Sequence, residues 1–144
     1  LGLVNEPSFL ANIGDKGVRS LEDARRFILE GPWASHRDRG YGQFMVELKD
    51  DGVSIGVCGI LFRDALDLSD VGAALLPDYW RQGFAYEAAC AVMDYGRTTL
   101  GLEMIVGLTS EENIPSIKLL EKLGMSFDRI VKMSDDDPGT ALYS

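Results

Sequence analysis

The chain has 144 residues, 46% of them hydrophobic, and a formal charge of −9, which describes one globular domain able to bury its own core. The acidic balance argues against nucleic acid, which asks for a basic stripe, and suits a cationic partner or plain solubility. No apolar run approaches the roughly 20 residues that span a bilayer and no leader pattern opens the chain, so a cytoplasmic protein with no membrane segment is expected.

Taken in chain order, Asn5–Ile13 is apolar-studded and reads as a helix begun near Pro7, followed by a loop over Gly14–Ser20. Ser20 is positioned to cap a second helix. Glu22 and Asp23 fall in its first turn, Asp23 completes a capping box, and Leu21, Ala24, Phe27 and Ile28 form one apolar stripe. Gly31-Pro32 is expected to stop that helix. His36 lies in a segment of mixed basic and aromatic residues and reads as a surface residue of a polar loop.

Phe44, Val46 and Leu48 alternate with Met45, Glu47 and Lys49, which predicts a strand. Asp50-Asp51-Gly52 is a tight turn, and Ser54–Arg63 follows as a more apolar strand. A third strand is expected over Asp70–Leu76, ended by Pro77. The helix predicted from Gly83 to Leu100 carries Ala85, Ala88, Ala89, Val92 and Gly96 on one stripe, small enough to pack closely on a sheet. Glu103–Leu108 reads as a buried strand and Asn113–Leu123 as a helix that Gly124 terminates. Phe127–Met133 and Thr140–Tyr143 form a final strand pair around an acidic loop. With no repeat or linker, residues 1–144 read as a single three-layer domain, α+β or α/β.

Cys58 and Cys90 lack any CxxC or Cys/His spacing, so no metal or redox role is indicated. Both are expected to be buried thiols in a reducing compartment.

The stretch from Leu75 to Ala88 carries the most chemistry. An apolar strand ends, a short loop follows, and a glycine with a small residue opens a helix. Unpaired N–H groups and the positive end of the helix then point at one spot, Gly83 allows close backbone approach, and Arg81 adds a charged donor. No Gly-Lys-Ser/Thr follows, so it is not a Walker loop, and it lacks the GxGxxG of a dinucleotide site. The same local pattern also fits a solvated helix start with a glycine in its turn.

Trp80-Arg81-Gln82-Gly83-Phe84-Ala85-Tyr86-Glu87-Ala88 resembles the acetyl-CoA signature of the GNAT superfamily in its RimJ/RimL-like branch, with Trp80 at the Gln/Arg position. A second signature, Asn-x-x-Ser before a helix ending Lys-Leu-Gly, matches Asn113, Ser116, Lys122, Leu123 and Gly124. The resemblance runs from Asn5 to the end, and it departs at the start, where the family's first strand has no counterpart. It implies a mixed, mostly antiparallel sheet with helices on both faces. It implies acetyl-CoA as cosubstrate, with no metal, its pantetheine arm beside the free backbone groups of Leu75 and Leu76. The pyrophosphate would lie on the N–H groups of Arg81, Gln82, Gly83, Phe84, Ala85 and Tyr86, and Asn113 would bond the arm from the other side.

An amine that attacks a thioester directly needs a proton acceptor, an oxyanion donor and a proton for the leaving thiolate. Asp70 occupies the place where the branch often has Glu, and would take the amine's proton through water; a solvated carboxylate at a strand start is the other reading. Ser116 matches the family serine that can face the sulfur, or else bonds helix backbone. The family's frequent tyrosine on this helix is Leu120 here. Glu87 has a sufficient structural reason in the helix dipole. By resemblance the acceptor is a protein N-terminus or a small amine, and the loop Ser134–Gly139 lies beside its entrance, where Asp135, Asp136 and Asp137 would attract a cation or serve only as a turn. An acetyl-CoA-binding sensor without catalysis is the competing function.

Overall fold

The computed structural model describes all 144 residues. Four short helices open the chain: α1 (Gly2–Asn5), α2 (Pro7–Asn12), α3 (Leu21–Ile28) and α4 (Ala34–Arg39). A hairpin of β1 (Gln43–Glu47) and β2 (Ser54–Arg63) leads into β3 (Leu68–Leu75). Then come α5 (Phe84–Thr98), β4 (Val106–Thr109), α6 (Ile114–Lys122), β5 (Phe127–Val131) and β6 (Thr140–Tyr143). The six strands make one mixed sheet in the order β1-β2-β3-β4-β6-β5, antiparallel except for the β3–β4 pair.

Local chemistry accounts for most of these boundaries. The Ser20 hydroxyl accepts from the Asp23 N–H at 3.1 Å while the Asp23 carboxylate accepts from the Ser20 N–H at 3.0 Å, the reciprocal capping box that starts α3. Gly31-Pro32 does not stop the helical path as the sequence suggested. Leu29–Trp33 forms a widened π-helical turn that leads directly into α4, which ends at Gly40. In an α-helix the Pro32 ring would clash with the carbonyl four residues back and leave a hydrogen bond unmade. The extra residue in a π turn relieves both.

Strand β3 begins two residues earlier than expected, and β4 starts only at Val106 because Glu103 and Met104 lie exposed in the loop before it.

The register sets two faces. Cys58, Ile60 and Val71 point toward α5, where they join Ala89, Val92 and Met93 in the main core with Leu120 of α6. Ile55, Val106 and Leu142 point the other way and are fully buried too, so both faces are covered. Gly107 lets α6 lie close on β4: a Cβ there would stand 2.3 Å from the Leu120 Cδ2 atom. Of the two thiols, Cys58 is buried as expected, but Cys90 is half-buried on α5. His36 is not a surface loop residue. It sits in α4, half-buried, with Nε2 3.1 Å from the Gln43 carbonyl and its ring edge-on to Phe44 at 4.7 Å.

The close approach at Gly107 predicts that Gly107→Ala lowers the unfolding free energy by about 1–3 kcal/mol, as overpacking does. Combining it with Leu120→Ala should cost less than the sum of the two single changes in urea unfolding. Strict additivity would show that α6 does not rest on this position.

Candidate functional site

The site begins where two strands part. β3 and β4 share only two register pairs, Asp70 with Val106 and Val71 with Gly107. Beyond them β3 runs on to Leu75 beside β2, while β4 runs on to Thr109 beside β6. A gap opens between, with unpaired backbone on the β3 side.

Which residues face that gap follows from strand alternation. The Leu76 N–H donates to the Ile55 carbonyl at 2.8 Å, so Leu76, Ala74 and Gly72 turn their backbone toward β2. Ala73 and Leu75 turn theirs toward the gap. Leu76, expected to offer free groups to a ligand, does not: its carbonyl also accepts from the Tyr79 N–H at 3.0 Å. Ala73 takes its place. The Leu75 carbonyl accepts the Trp80 indole N–H at 2.8 Å, which folds the following loop back against the end of β3. That bond gives Trp80 a reason to be there, since a partly buried indole N–H finds a partner.

The loop then forms a concave set of N–H donors. Arg81 and Gly83 both have positive φ, +60° and +89°, with Gln82 between them. Alternation of this kind turns successive N–H groups to one side, an anion-binding nest. None of the N–H groups of Arg81, Gln82 and Gly83 donates to a backbone carbonyl, and the first bonded N–H of α5 is that of Glu87, to Gly83. Phe84, Ala85 and Tyr86 thus add their N–H groups and the positive end of a 15-residue helix. A Cβ at Gly83 would meet nothing within 4 Å, so the glycine is required by its backbone angle and leaves open space on the donor side. Glu87 points elsewhere, 3.7 Å from Lys49, in a mostly exposed pair of little energetic weight.

Asn113 begins α6 just beyond the end of β4. Its Oδ1 accepts from the Ser116 N–H at 3.3 Å, so it caps the helix, and its amide N–H groups remain for another partner. Ser116 is half-buried in the first turn, and its hydroxyl makes no hydrogen bond to helix backbone. Leu120, one turn on, is a core residue with no acid–base capacity.

Asp70 differs most from the sequence reading. It is no solvated carboxylate at a strand start: it lies inside β3, 2% exposed, on the face away from α5. The Arg63 Nε donates to one carboxylate oxygen, and Nη2 donates to the other at 3.3 Å. Burial pushes its carboxyl above the ordinary range, and the Arg63 guanidinium pulls it back part of the way. Arg63 belongs to no sequence motif; only its position, diagonal to Asp70 across a hairpin, points to it.

The acidic loop divides. Asp137 closes the turn, accepting from the Met133 and Gly139 N–H groups at 2.8 Å and from the Thr140 hydroxyl at 2.9 Å, which holds its carboxyl below the usual range. Asp135 and Asp136 are exposed.

A family model described as an acetyltransferase (GNAT) domain matches residues 3–126. The chain is 30% identical over 112 residues to the uncharacterized N-acetyltransferase YnaD of Bacillus subtilis, an alignment covering 76% of this chain and 62% of that protein. Among solved structures, an acetyltransferase from Agrobacterium tumefaciens superposes with a TM-score of 0.79 at 25% identity, covering 99% of this chain and 80% of the other. A spermidine N-acetyltransferase from Vibrio cholerae, in complex with CoA and spermine, superposes with a TM-score of 0.77 at 16% identity over 99% and 84% of the two chains.

The capping geometry predicts that Asn113→Ala costs about 1 kcal/mol of stability, the usual loss when a helix cap is removed. Asn113→Asp retains the acceptor and should leave the urea midpoint close to the parent's. Equal stability of all three proteins would leave Asn113 with no capping role.

Proposed function

Given that the chain belongs to the GNAT acetyltransferase family, we propose that it transfers an acetyl group from acetyl-CoA directly to a primary amine. The observation that carries this reading is the nest at Arg81–Gly83, joined through the Trp80–Leu75 bond to a strand edge with unpaired backbone. A molecule with a pyrophosphate at one end and an amide-bearing arm fits both halves. The pyrophosphate takes the N–H groups of Arg81 to Tyr86, and the arm pairs with Ala73 and Leu75 along the gap. Asn113 donates from the opposite side through its free amide N–H groups.

The thioester then lies toward the root of the gap, where Asp70 and Ser116 are the candidates for proton transfer. The amine nitrogen attacks the carbonyl carbon, the C–S bond breaks, and the sulfur leaves as a thiolate. Asp70 accepts the proton from nitrogen through water, and the unbonded Ser116 hydroxyl relays a proton to the sulfur as it takes one from water. With Leu120 committed to the core, α6 offers no alternative acid one turn along.

The acceptor is a small cationic amine or a protein N-terminus. The spermine named with the V. cholerae neighbour is in keeping with the former, and exposed Asp135 and Asp136 would raise the local concentration of a cation by long-range attraction. The RimJ/RimL-like motif and the absence of any helix long and apolar enough to cross a membrane are in keeping with a cytoplasmic member of that branch.

Thiol release from acetyl-CoA, measured with spermine, an aminoglycoside and a peptide with a free N-terminus, tests the reading. At least one should release CoA above the hydrolysis background; none doing so while acetyl-CoA still binds would favour the sensor function. Gly83→Glu should weaken acetyl-CoA binding tenfold or more, about 1.4 kcal/mol. Gly101→Glu, at another exposed glycine of positive φ, should bind as the parent does. Equal loss in both would mean strain alone, and no loss at Gly83 would remove the phosphate site.

A further inference from the structure

Burial of a carboxylate deep in a sheet is costly, and the chain places a cation against it by an unusual route. Arg63 ends β2 and Asp70 lies two residues into β3, so the hairpin between them brings the two together on one face. Leu61 is the register partner of Asp70, and Leu68 that of Arg63; the ion pair is therefore diagonal across the strands. The guanidinium uses two of its nitrogens, one on each carboxylate oxygen, and is itself about one-third exposed while Asp70 is sealed. A fork of this kind fixes direction as well as charge. Arg63 is the one charged group acting on Asp70. From β4 the register neighbour is Val106, and along β3 the same face presents Leu68 and Gly72.

The location gives the pair its meaning. Asp70 is the first of the two β3 residues that still pair with β4, immediately before the strands part. We infer that Arg63 is a positioning residue for acetyl transfer, its guanidinium fork holding the Asp70 carboxylate ionised and fixed in place beside the point where β3 and β4 part. This rests on the reading of Asp70 as the group that takes the amine's proton.

The physical argument is one of opposing effects. A carboxyl buried among Leu61, Leu68 and Val106 with no cation would be driven to its neutral form, and a neutral carboxylic acid cannot accept the proton. A carboxylate beside a fully solvated arginine would be too weak a base. Burial raises the carboxyl above its ordinary range and the one-third-exposed guanidinium opposes that rise, so the group is a stronger base than an exposed aspartate while the cation still favours its ionised form. In the transfer step the carboxylate accepts one proton, through water, from the attacking nitrogen as the C–N bond forms. The thiolate leaves with the electron pair of the C–S bond. Arg63 exchanges no proton and touches neither reactant.

The test needs a readout that a merely structural ion pair would leave unmoved. The Asp70 carboxyl carbon, identified by its loss in Asp70→Asn, can be titrated by carbon NMR in the parent, Arg63→Lys and Arg63→Met, with no acceptor present. The expected order of midpoints is parent lowest, Arg63→Lys higher, and Arg63→Met higher still by about one to three pH units, the usual effect of a close opposite charge. The acidic limb of the turnover–pH profile should move upward with these midpoints in Arg63→Lys and Arg63→Met, a shift that a merely structural pair would not produce. Coincident midpoints, any other order, or an acidic limb that stays where the parent has it overturn the inference. Should Arg63→Met fail to fold, the parent and Arg63→Lys decide it alone, because the lysine keeps the charge and loses the fork. Kinetics separate this result from the reading beneath it. In Asp70→Asn, amine-dependent turnover should fall at least tenfold with the acetyl-CoA KM unchanged. Parent-like turnover there would remove Asp70 from proton transfer whatever the titrations of the Arg63 variants give.

Discussion

The parting of β3 from β4 after two paired residues is the constraint on which the rest of the site depends. Had the strands stayed paired, Ala73 and Leu75 would have bonded to β4, and no backbone edge would face a ligand. The divergence is supported from both sides. β2 holds the far end of β3 through Gly56–Leu75 and the Leu76 N–H, while β6 holds β4 as far as Thr109. Gly107 then allows Leu120 to seat α6 against β4, bringing the Asn113 cap to the end of that strand. On the opposite side the Trp80 indole fastens the nest to Leu75. Two strands thus end and two helices begin at one opening, with backbone or amide groups available from β3, α5 and α6.

Electrostatics at this opening is unevenly distributed. The backbone of the nest and the α5 terminus presents fixed partial positive charge, well matched to phosphate and costing no reorganisation. The Arg63–Asp70 pair is of another kind, its carboxylate sealed and its guanidinium about one-third exposed. Removing the arginine would leave the buried carboxylate uncompensated, whereas replacing both partners of a buried pair with apolar groups can be neutral. Its presence therefore asks for a reason beyond stability, and its position at the root of the gap supplies one. The exposed pairs, such as Lys49–Glu87 and Arg37–Asp38, are surface features with small effects on the fold.

Much of this was legible in the sequence because it is written in local chemistry. The Ser20–Asp23 capping box, the Asp50–Gly52 turn and Gly124 after α6 each depend on a few neighbouring residues, and the structure has them as read. The nest was legible through Gly83 and the small Ala85. What escaped depends on long-range pairing. The choice between Leu76 and Ala73 as a free edge follows from which residue meets Ile55, and the fate of Asp70 follows from an arginine seven residues away across a hairpin. The π-helical turn at Leu29–Trp33 escaped for a local reason: Gly-Pro is a helix stop in an α-helix, and a widened turn removes the clash that makes it one. Charge alone groups Asp137 with Asp135 and Asp136, although its position two residues before Gly139 marks it as the turn residue.

The central claim is that one opening, bounded by Ala73–Leu75, Arg81–Tyr86 and Asn113, receives acetyl-CoA. Amide hydrogen exchange with and without acetyl-CoA measures this most directly, because the N–H groups assigned to the ligand carry no bond to a backbone carbonyl at Arg81, Gln82 and Gly83. The account predicts strong slowing of exchange at Gln82 to Tyr86, with slowing also at Ala73 and Leu75, and little change along β1 and β5. Protection confined to the apolar groove between β1 and α5, lined by Phe44, Val46, Ala88 and Tyr95, with exchange at Gln82 to Tyr86 unaltered, would contradict it.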